Sequence, residues 1–386
     1  MCSTHTATYA VFGLGKAGKA AVDFLLKQGA TVYAWDDAQK NERSESLAIY
    51  SSPESWPWDA IEALVLSPGI PLTHPKPHNV VELAHRANVP IIGDVELLYR
   101  HAPDATYIGI TGTNGKSTTT ALIGHIAEQL GLECAVGGNL GTPAIALPLL
   151  GKGGIYVLEL SSYQLDLMHE THINIAVLLN MTPDHIDRHG SMQGYINAKR
   201  RIFRHQGVED TAIIGVDDTT MQDLHQGLSS SSDARIVPIS GYRHMTEGVS
   251  MNAGRLYDCM VSHCDTYRLP PLPYLPGQHN QQNTAAAYAA IRALGIEGEA
   301  IVPHIASFKG LSHRLQLVRE INGIRYVNDS KATNADATSH ALAAFESIYW
   351  IVGGRPKEGG IVSLEPYFRK IRHAFVIGEA EDAFAA

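Results

Sequence analysis

The sequence predicts an α/β protein of three units, and three observations carry that prediction. Two glycine-rich turns, at residues 13–18 and 112–118, each lie between a β-prone run and a run with helical periodicity. Further short apolar runs of strand length alternate with helical segments, the pattern of parallel sheets covered by helices. At 386 residues the chain is long enough for two or three separate cores. The units are read as residues 1–103, 104–308 and 309–386.

In the first unit, residues 7–12 form a buried strand and Gly13-Leu14-Gly15-Lys16-Ala17-Gly18 follows at once, a complete G-x-G-x-x-G. A helix over 20–28 closes at Gly29, and a second strand over 31–35 ends in Asp36-Asp37. This is a βαβ unit with an acid about 20 residues beyond the glycines, the Rossmann-like arrangement. Taken alone it fits NAD and an oxidoreductase. Its physics demands only a diphosphate at a helix N-terminus, which any nucleoside diphosphate supplies. Residues 63–66 give another strand, 67–71 the turn after it, 89–93 the last strand, and 101–104 the link to the next unit.

The second unit starts on a strand over 105–108 and the turn Gly112-Thr113-Asn114-Gly115-Lys116-Ser117-Thr118, which opens a helix over 119–130. The glycines let backbone N–H groups crowd one point, and the helix N-terminus adds its positive dipole end. Lys116 can reach the outer phosphates of ATP and the Ser117 hydroxyl can ligate Mg²⁺, the design of a P-loop. The strict G-x-x-x-x-G-K-[ST] is not met, since Ile110 stands at its first glycine. A strand over 155–160 places Glu159 at its carboxyl end, where a parallel sheet faces its ligand; there it holds Mg²⁺ or only caps the next turn.

After a strand over 173–180 comes Thr182-Pro183-Asp184-His185-Ile186-Asp187-Arg188-His189-Gly190. So much charge behind a buried strand suits a site: His185 is a candidate metal ligand or substrate contact, and Asp184, Asp187 and Arg188 can pair to support the loop. A charged structural turn is the alternative. Ser191 caps a helix to about residue 206, in which Lys199 lies on what reads as a solvated basic face. Residues 211–272 read as strand-rich and turn-rich. An alanine-rich helix then runs from residue 277 to 293, with Asn280 and Asn283 near its start either as nucleotide contacts or as caps.

The third unit offers a hairpin of 315–321 with 324–328 over Asn322-Gly323. A polar loop over 328–334 follows, then strands over 349–352 and 374–377. At roughly 75 residues it falls short of the usual ~100–150 of such a domain and reads as incomplete.

Composition excludes whole classes. Thirty Lys and Arg against 39 Asp and Glu leave a net charge of −9, which attracts neither nucleic acid nor anionic membrane. No run approaches the ~20 apolar residues of a membrane helix. The first residues lack the basic and apolar regions of a secretory signal. Cys2, Cys134, Cys259 and Cys264 form no C-x-x-C and read as buried or idle thiols of a reducing cytoplasm.

The ordered set G-T-N-G-K-S-T, Gly137-Gly138-Asn139, Glu159-Leu160-Ser161-Ser162, D-H-I-D-R-H-G, Gly277-Gln278-His279-Asn280, Leu311-Ser312-His313-Arg314 and N-D-S-K-A-T-N resembles the Mur ligases of peptidoglycan synthesis. The match spans the whole chain, and the last loop is that of the D-glutamate-adding member. The resemblance implies three domains: a Rossmann-like UDP-substrate domain, a central P-loop ATPase domain and a C-terminal Rossmann-like domain. It implies a cytoplasmic, monomeric, ATP-dependent ligase joining D-glutamate to UDP-N-acetylmuramoyl-L-alanine through an acyl phosphate, with two Mg²⁺ sites. A folylpolyglutamate synthase shares the phosphate loop but neither D-H-I-D-R-H-G nor N-D-S-K-A-T-N.

Residue by residue, the resemblance puts residues 112–118 with Asn283, Arg314, Asp329 and Lys331 around ATP. Ser117, Glu159, His185 and Lys199, the last as a carbamate, become metal ligands. Lys116, Glu159, His185 and Lys199 become the catalytic set. Gly13, Gly15, Lys16, Ala17 and Asp36 fall on the UDP side, Asn139 and Ser161 at the muramoyl-alanine end, Thr333 and Lys357 on D-glutamate. Lys16, Ala17 and Arg355 depart from the family's usual residues. The family's last segment, which closes over D-glutamate with a serine and a phenylalanine, is absent, so the alternative expectation is a truncated remnant that binds nucleotide without turnover.

Overall fold

The computed structural model describes residues 6–38, 48–355 and 360–385. Each glycine turn leaves a strand at the point where its sheet reverses order. In the first sheet, Thr8–Phe12 lies between Thr31–Trp35 and Ala63–Leu66, with Ile49–Tyr50 and Ile91–Ile92 at the edges, all parallel. In the second, nine-stranded sheet, Thr106–Thr111 lies between Ile155–Glu159 and Ile175–Leu178. Ligands bind parallel sheets at such reversal points, beyond the carboxyl ends of the strands.

The central sheet is apolar on both faces, as parallel strands covered by helices must be. Leu122, Ile123 and Ile126 of the helix Lys116–Gln129 pack with Ala285–Ile291 of the helix Gln278–Arg292. The alanines let the two helices lie close. Beyond Thr211–Gly215 and Arg235–Ser240 the sheet ends in an antiparallel meander of Gly248–Asn252, Arg255–Cys259 and Asp265–Arg268.

The structure corrects several expectations. The stretch read as strands holds a 13-residue helix, Thr219–Ser231, capped by the Asp218 carboxylate accepting from Met221 N–H and anchored by Met221, Leu224 and Leu228. Its serines and threonines hid the helical spacing. The expected link at 101–104 overlaps the helix Asp94–His101. The helix after Ser191 ends at Arg200 and continues as a 3₁₀ turn to Phe203. Cys259 and Cys264 are not idle thiols: the turn that follows the strand Arg255–Cys259 brings the Cα atoms to 4.2 Å and they form a disulfide. Cys134 is free, and Cys2 lies outside the described residues.

The third unit contains the expected hairpin, Gln316–Ile321 with Ile324–Asn328, and a parallel pair, Ile348–Gly353 with Ile371–Ile377. Asn322 and Gly323 both take positive φ, as the tight hairpin turn requires. Among the described residues no helix is long and apolar enough to cross a membrane.

Candidate active site

The phosphate loop is shaped by two glycines and held by one amide. Gly115 has φ of 85°, and a Cβ there would lie 2.3 Å from Asn283 Oδ1, so only glycine fits between loop and helix. Asn180, at the end of the neighbouring strand, accepts from the N–H groups of Thr113 (3.1 Å) and Asn114 (2.8 Å) and donates to the Asn114 carbonyl (3.0 Å). The helix beyond opens at Gly115 without a side-chain cap, leaving its first N–H groups for an anion.

Two ammonium groups converge on this loop. Lys116 Nζ donates to the carbonyls of Gly112 (2.9 Å) and Thr113 (2.7 Å). Lys199 Nζ donates to Thr111 Oγ1 (3.2 Å) and the same Gly112 carbonyl (2.9 Å), and lies 4.7 Å from the Tyr195 ring centre. Lys199 is 1 % exposed, which overturns its reading as part of a solvated basic face; Tyr195, Ala198 and Lys199 form the buried side of their helix. Burial, and then the charge of Lys116, hold the Lys199 ammonium well below the usual lysine range. Burial also lowers Lys116, against the pull of Glu159.

Glu159 is 2 % exposed at the end of its strand. Its Oε1 accepts from Asn139 Nδ2 at 2.6 Å, while Oε2 is buried with no hydrogen-bond partner. It therefore does not serve as a cap. A buried, orphaned carboxylate oxygen beside a phosphate loop suits a divalent cation. Among the described residues no three His, Cys, Asp or Glu side chains cluster tightly enough to hold a metal alone. Mg²⁺ beside a nucleotide does not need such a cage, since one or two carboxylates, phosphate oxygens and water complete its shell. Ser117, buried in the first turn of the helix, is placed for the same duty.

His185 is exposed, 3.6 Å from Asp184, with its ring 5.0 Å from Tyr163 and 6.5 Å from Tyr195. Tyr195 contacts each of the parts: its hydroxyl is 3.2 Å from Thr113 Oγ1, and its ring centre is 4.7 Å from Lys199 Nζ and 6.5 Å from the His185 ring.

A cleft of about 240 Å³ runs from this loop into the third unit. Asn114, Gly115, Thr118, Asn283, Arg314 and Asp329 line it. The structure thus gathers most of the expected ATP set. Lys331 and Thr333 are not among the lining residues; the Lys331 N–H is bonded to the His313 carbonyl and both side chains are exposed. Asn280 and Asn283 are not caps: Asn283 donates to Asn280 Oδ1, and Asn280 to the Pro276 carbonyl. Ser161 caps its helix in a reciprocal box with Gln164. Lys357 lies outside the described residues.

The first glycine turn is closed differently. Gly13 has φ of 87°, and Gly15 opens the helix Lys16–Lys27 with no side-chain cap. Lys16 is exposed and Ala17 half-buried at its start. The Asp36 carboxylate accepts from Leu14 N–H at 2.6 Å and Ala38 N–H at 2.8 Å, so it braces the loop.

Sequence reading missed three contributors: Asn180, Tyr195 as the joint, and Asp336. The last accepts from Asn114 and Thr182 and so ties the third unit to the phosphate loop. An Asn ending a buried apolar strand was a usable sign for the first; nothing local marks Asp336.

The family profile for the Mur ligase middle domain matches residues 110–291, and that for the MurD-like N-terminal domain matches residues 7–93. The chain is 49 % identical over 378 residues to the UDP-N-acetylmuramoylalanine–D-glutamate ligase of Paramagnetospirillum magneticum, covering 97 % of this chain and 82 % of that protein. It is 47 % identical over 391 residues to the enzyme of the same name from Caulobacter vibrioides, covering 98 % and 82 %. Among solved structures, the Thermotoga maritima MurF ligase in complex with ADP superposes with a TM-score of 0.61 at 18 % identity, over 98 % of this chain and 83 % of that one. The MurC ligase of the same organism gives 0.59 at 17 % identity, over 99 % and 87 %. These two likenesses show the fold alone.

Proposed function

The chain belongs to the Mur ligase family, and from that premise we propose that it joins D-glutamate to UDP-N-acetylmuramoyl-L-alanine at the expense of ATP, a step of peptidoglycan synthesis. The observation that carries this is the meeting of Lys116, Lys199 and the orphaned Glu159 carboxylate at one phosphate loop, in a chain 49 % identical to a D-glutamate ligase.

A carboxylate is a poor acyl donor in water, so it must first gain a leaving group. The alanyl carboxylate attacks the γ-phosphorus of ATP, the bond to the bridging oxygen breaks, and ADP leaves an acyl phosphate. The D-glutamate amine then attacks the acyl carbon, inorganic phosphate departs, and the nitrogen loses its proton. For the first step positioning and charge neutralisation do most of the work. The loop N–H groups and Lys116 hold the β and γ phosphates, while Asn283, Arg314 and Asp329 line the remainder of the nucleotide cleft. Mg²⁺ would supply further neutralisation, with Ser117, Glu159 and His185 as the residues to hold it. Lys199, buried and with its ammonium held well below the usual lysine range, is suited to carbamylation by CO₂, which would turn it into an anionic oxygen ligand.

Gly13, Gly15 and the helix opening at Lys16 take the UDP diphosphate; Asn139 and Ser161 stand at the muramoyl-alanine end. Thr333 and Lys357 are assigned to D-glutamate by motif. The protein acts as a cytoplasmic monomer, the reading that the nucleotide-linked substrates and the family resemblance imply.

The test is phosphate release with ATP, UDP-N-acetylmuramoyl-L-alanine and D-glutamate, omitting each in turn. Release should need all three. Steady release without D-glutamate would overturn the reading.

A further inference from the structure

Where the first and second sheets meet, one side chain is bound in a way the reaction has not yet used. Arg188 lies in the single-turn helix Ile186–His189, whose flanking residues His185 and Gly190 both take left-handed backbone. Its guanidinium donates from Nη1 to the Gly69 carbonyl at 2.9 Å, and from Nη2 to the carbonyls of Ile70 at 3.1 Å and Pro68 at 3.4 Å. One planar fork thus gathers three successive carbonyls of a turn in the first unit, where the sequence suggested pairing with Asp184 and Asp187. The guanidinium also lies over the Tyr163 ring, its Cζ 4.5 Å from the ring centre, and that ring lies 5.0 Å from the His185 ring.

The gripped turn is itself pressed against the first glycine loop. A Cβ at Gly13 would fall 2.6 Å from Ser67 Cβ and 3.3 Å from Ile70 Cγ1, and the Ser67 N–H bonds the Phe12 carbonyl at 2.9 Å. A second contact runs alongside, since a Cβ at Gly190 would lie 2.7 Å from His74 Nε2. Contact is therefore continuous from the UDP-side loop, through residues 67–70, Arg188 and Tyr163, to His185.

We propose that Arg188 is a positioning residue that couples seating of the UDP-linked substrate in the first unit to placement of the His185 loop at the phosphate site. The turn and the loop share one fork, so a shift of residues 68–70 either carries the loop along or breaks three charge-assisted hydrogen bonds. This deepens the ligase reading and rests on it.

The experiment compares wild type with Arg188→Ala and Arg188→Lys by steady-state kinetics and by hydrogen exchange. In Arg188→Ala, KM for UDP-N-acetylmuramoyl-L-alanine should rise about tenfold or more while KM for ATP stays within about twofold. Lysine keeps the charge but loses the fork, so Arg188→Lys should recover only part of the loss. Exchange over 67–74 and 185–190 should quicken together in both variants, with the helix 116–129 unchanged. Saturating UDP-N-acetylmuramoyl-L-alanine should slow exchange over 185–190 in wild type but not in Arg188→Ala.

Full recovery by lysine, an equal rise in KM for ATP, or unchanged exchange over 185–190 would each overturn the proposal. Should the alanine variant not fold, the lysine variant carries the same comparison. A wild type that releases no D-glutamate-dependent phosphate would defeat the ligase reading instead, and exchange in the free protein would still decide the coupling.

Discussion

The two glycine turns share a scaffold and differ in the charge that closes them. Each leaves a strand at the reversal point of a parallel sheet, crosses a glycine with φ near 85°, and opens a helix without a side-chain cap. Over the first, the Asp36 carboxylate sits on the loop backbone. Around the second, the backbone is braced by the neutral amide of Asn180, and Lys116 and Lys199 crowd the same carbonyl. A loop that already carries an anion suits a diphosphate whose remaining parts are gripped elsewhere. A loop that carries a lysine on its own helix, and an amide brace in place of a carboxylate, suits a triphosphate. The shared scaffold says only that phosphate binds; the closing residue says which load.

The two turns differ most in what Lys116 does. Lys116→Ala removes the one cation on the loop's own helix, and kcat should fall about a thousandfold or more, as when a transition-state charge loses its partner. Binding of UDP-N-acetylmuramoyl-L-alanine, measured by calorimetry, should stay within about threefold. A parallel loss there would mean that the two turns are not separate sites.

Removing the two braces sharpens the contrast further. Asn180→Ala deletes three side-chain hydrogen bonds to the second loop and Asp36→Ala one to the first, from Leu14 N–H. Thr113 N–H keeps the Asn180 main-chain carbonyl at 3.1 Å, but Asn114 and Leu14 lose their side-chain acceptors, and an N–H left unpaired away from water costs about 1–3 kcal/mol, or roughly ten- to a hundredfold. The first variant should lose that factor in kcat/KM for ATP. The second should lose a smaller one, about tenfold, in KM for the UDP substrate alone. If both variants raise both KM values alike, closing charge is not what distinguishes the turns.

Much of this was legible in the sequence, and the reason is range. Both turns, their strands and Glu159 at a strand end follow from residues adjacent in the chain, where glycine, β-branched and apolar spacing speak directly. What the sequence hid comes from elsewhere. Asn180 reaches the loop from 66 residues away, Tyr195 from 82 and Asp336 from 222. Lys199 looked solvated because Arg200 and Arg201 follow it, yet only a folded helix decides which of three neighbouring bases turns inward. The helix Thr219–Ser231 was lost for a related reason: its serines and threonines favour turns locally, and burial of Met221, Leu224 and Leu228 overrides them.

The smallest expected difference is in acid. His279 and His340, whose rings lie 4.6 Å apart, line the cleft of the second turn. Burial, with His340 beside it, takes His279 from the ordinary value near 6.5 down to about 3. Burial lowers His340 as well, with Asp336 and Asp329 opposing. Between about 6.5 and 3 the unfolded chain binds the His279 proton and the folded chain does not, so stability is lost as pH falls through that window. The effect is at most about 1.4 kcal/mol per pH unit, and less for a side chain that water still reaches. Thermal melts of wild type and His279→Gln between pH 7 and 4.5 should show Tm falling more steeply in wild type, by a few degrees across the range. Equal slopes would mean that acid weakness in this protein comes from its carboxylates, and that the second turn is no more sensitive than the first.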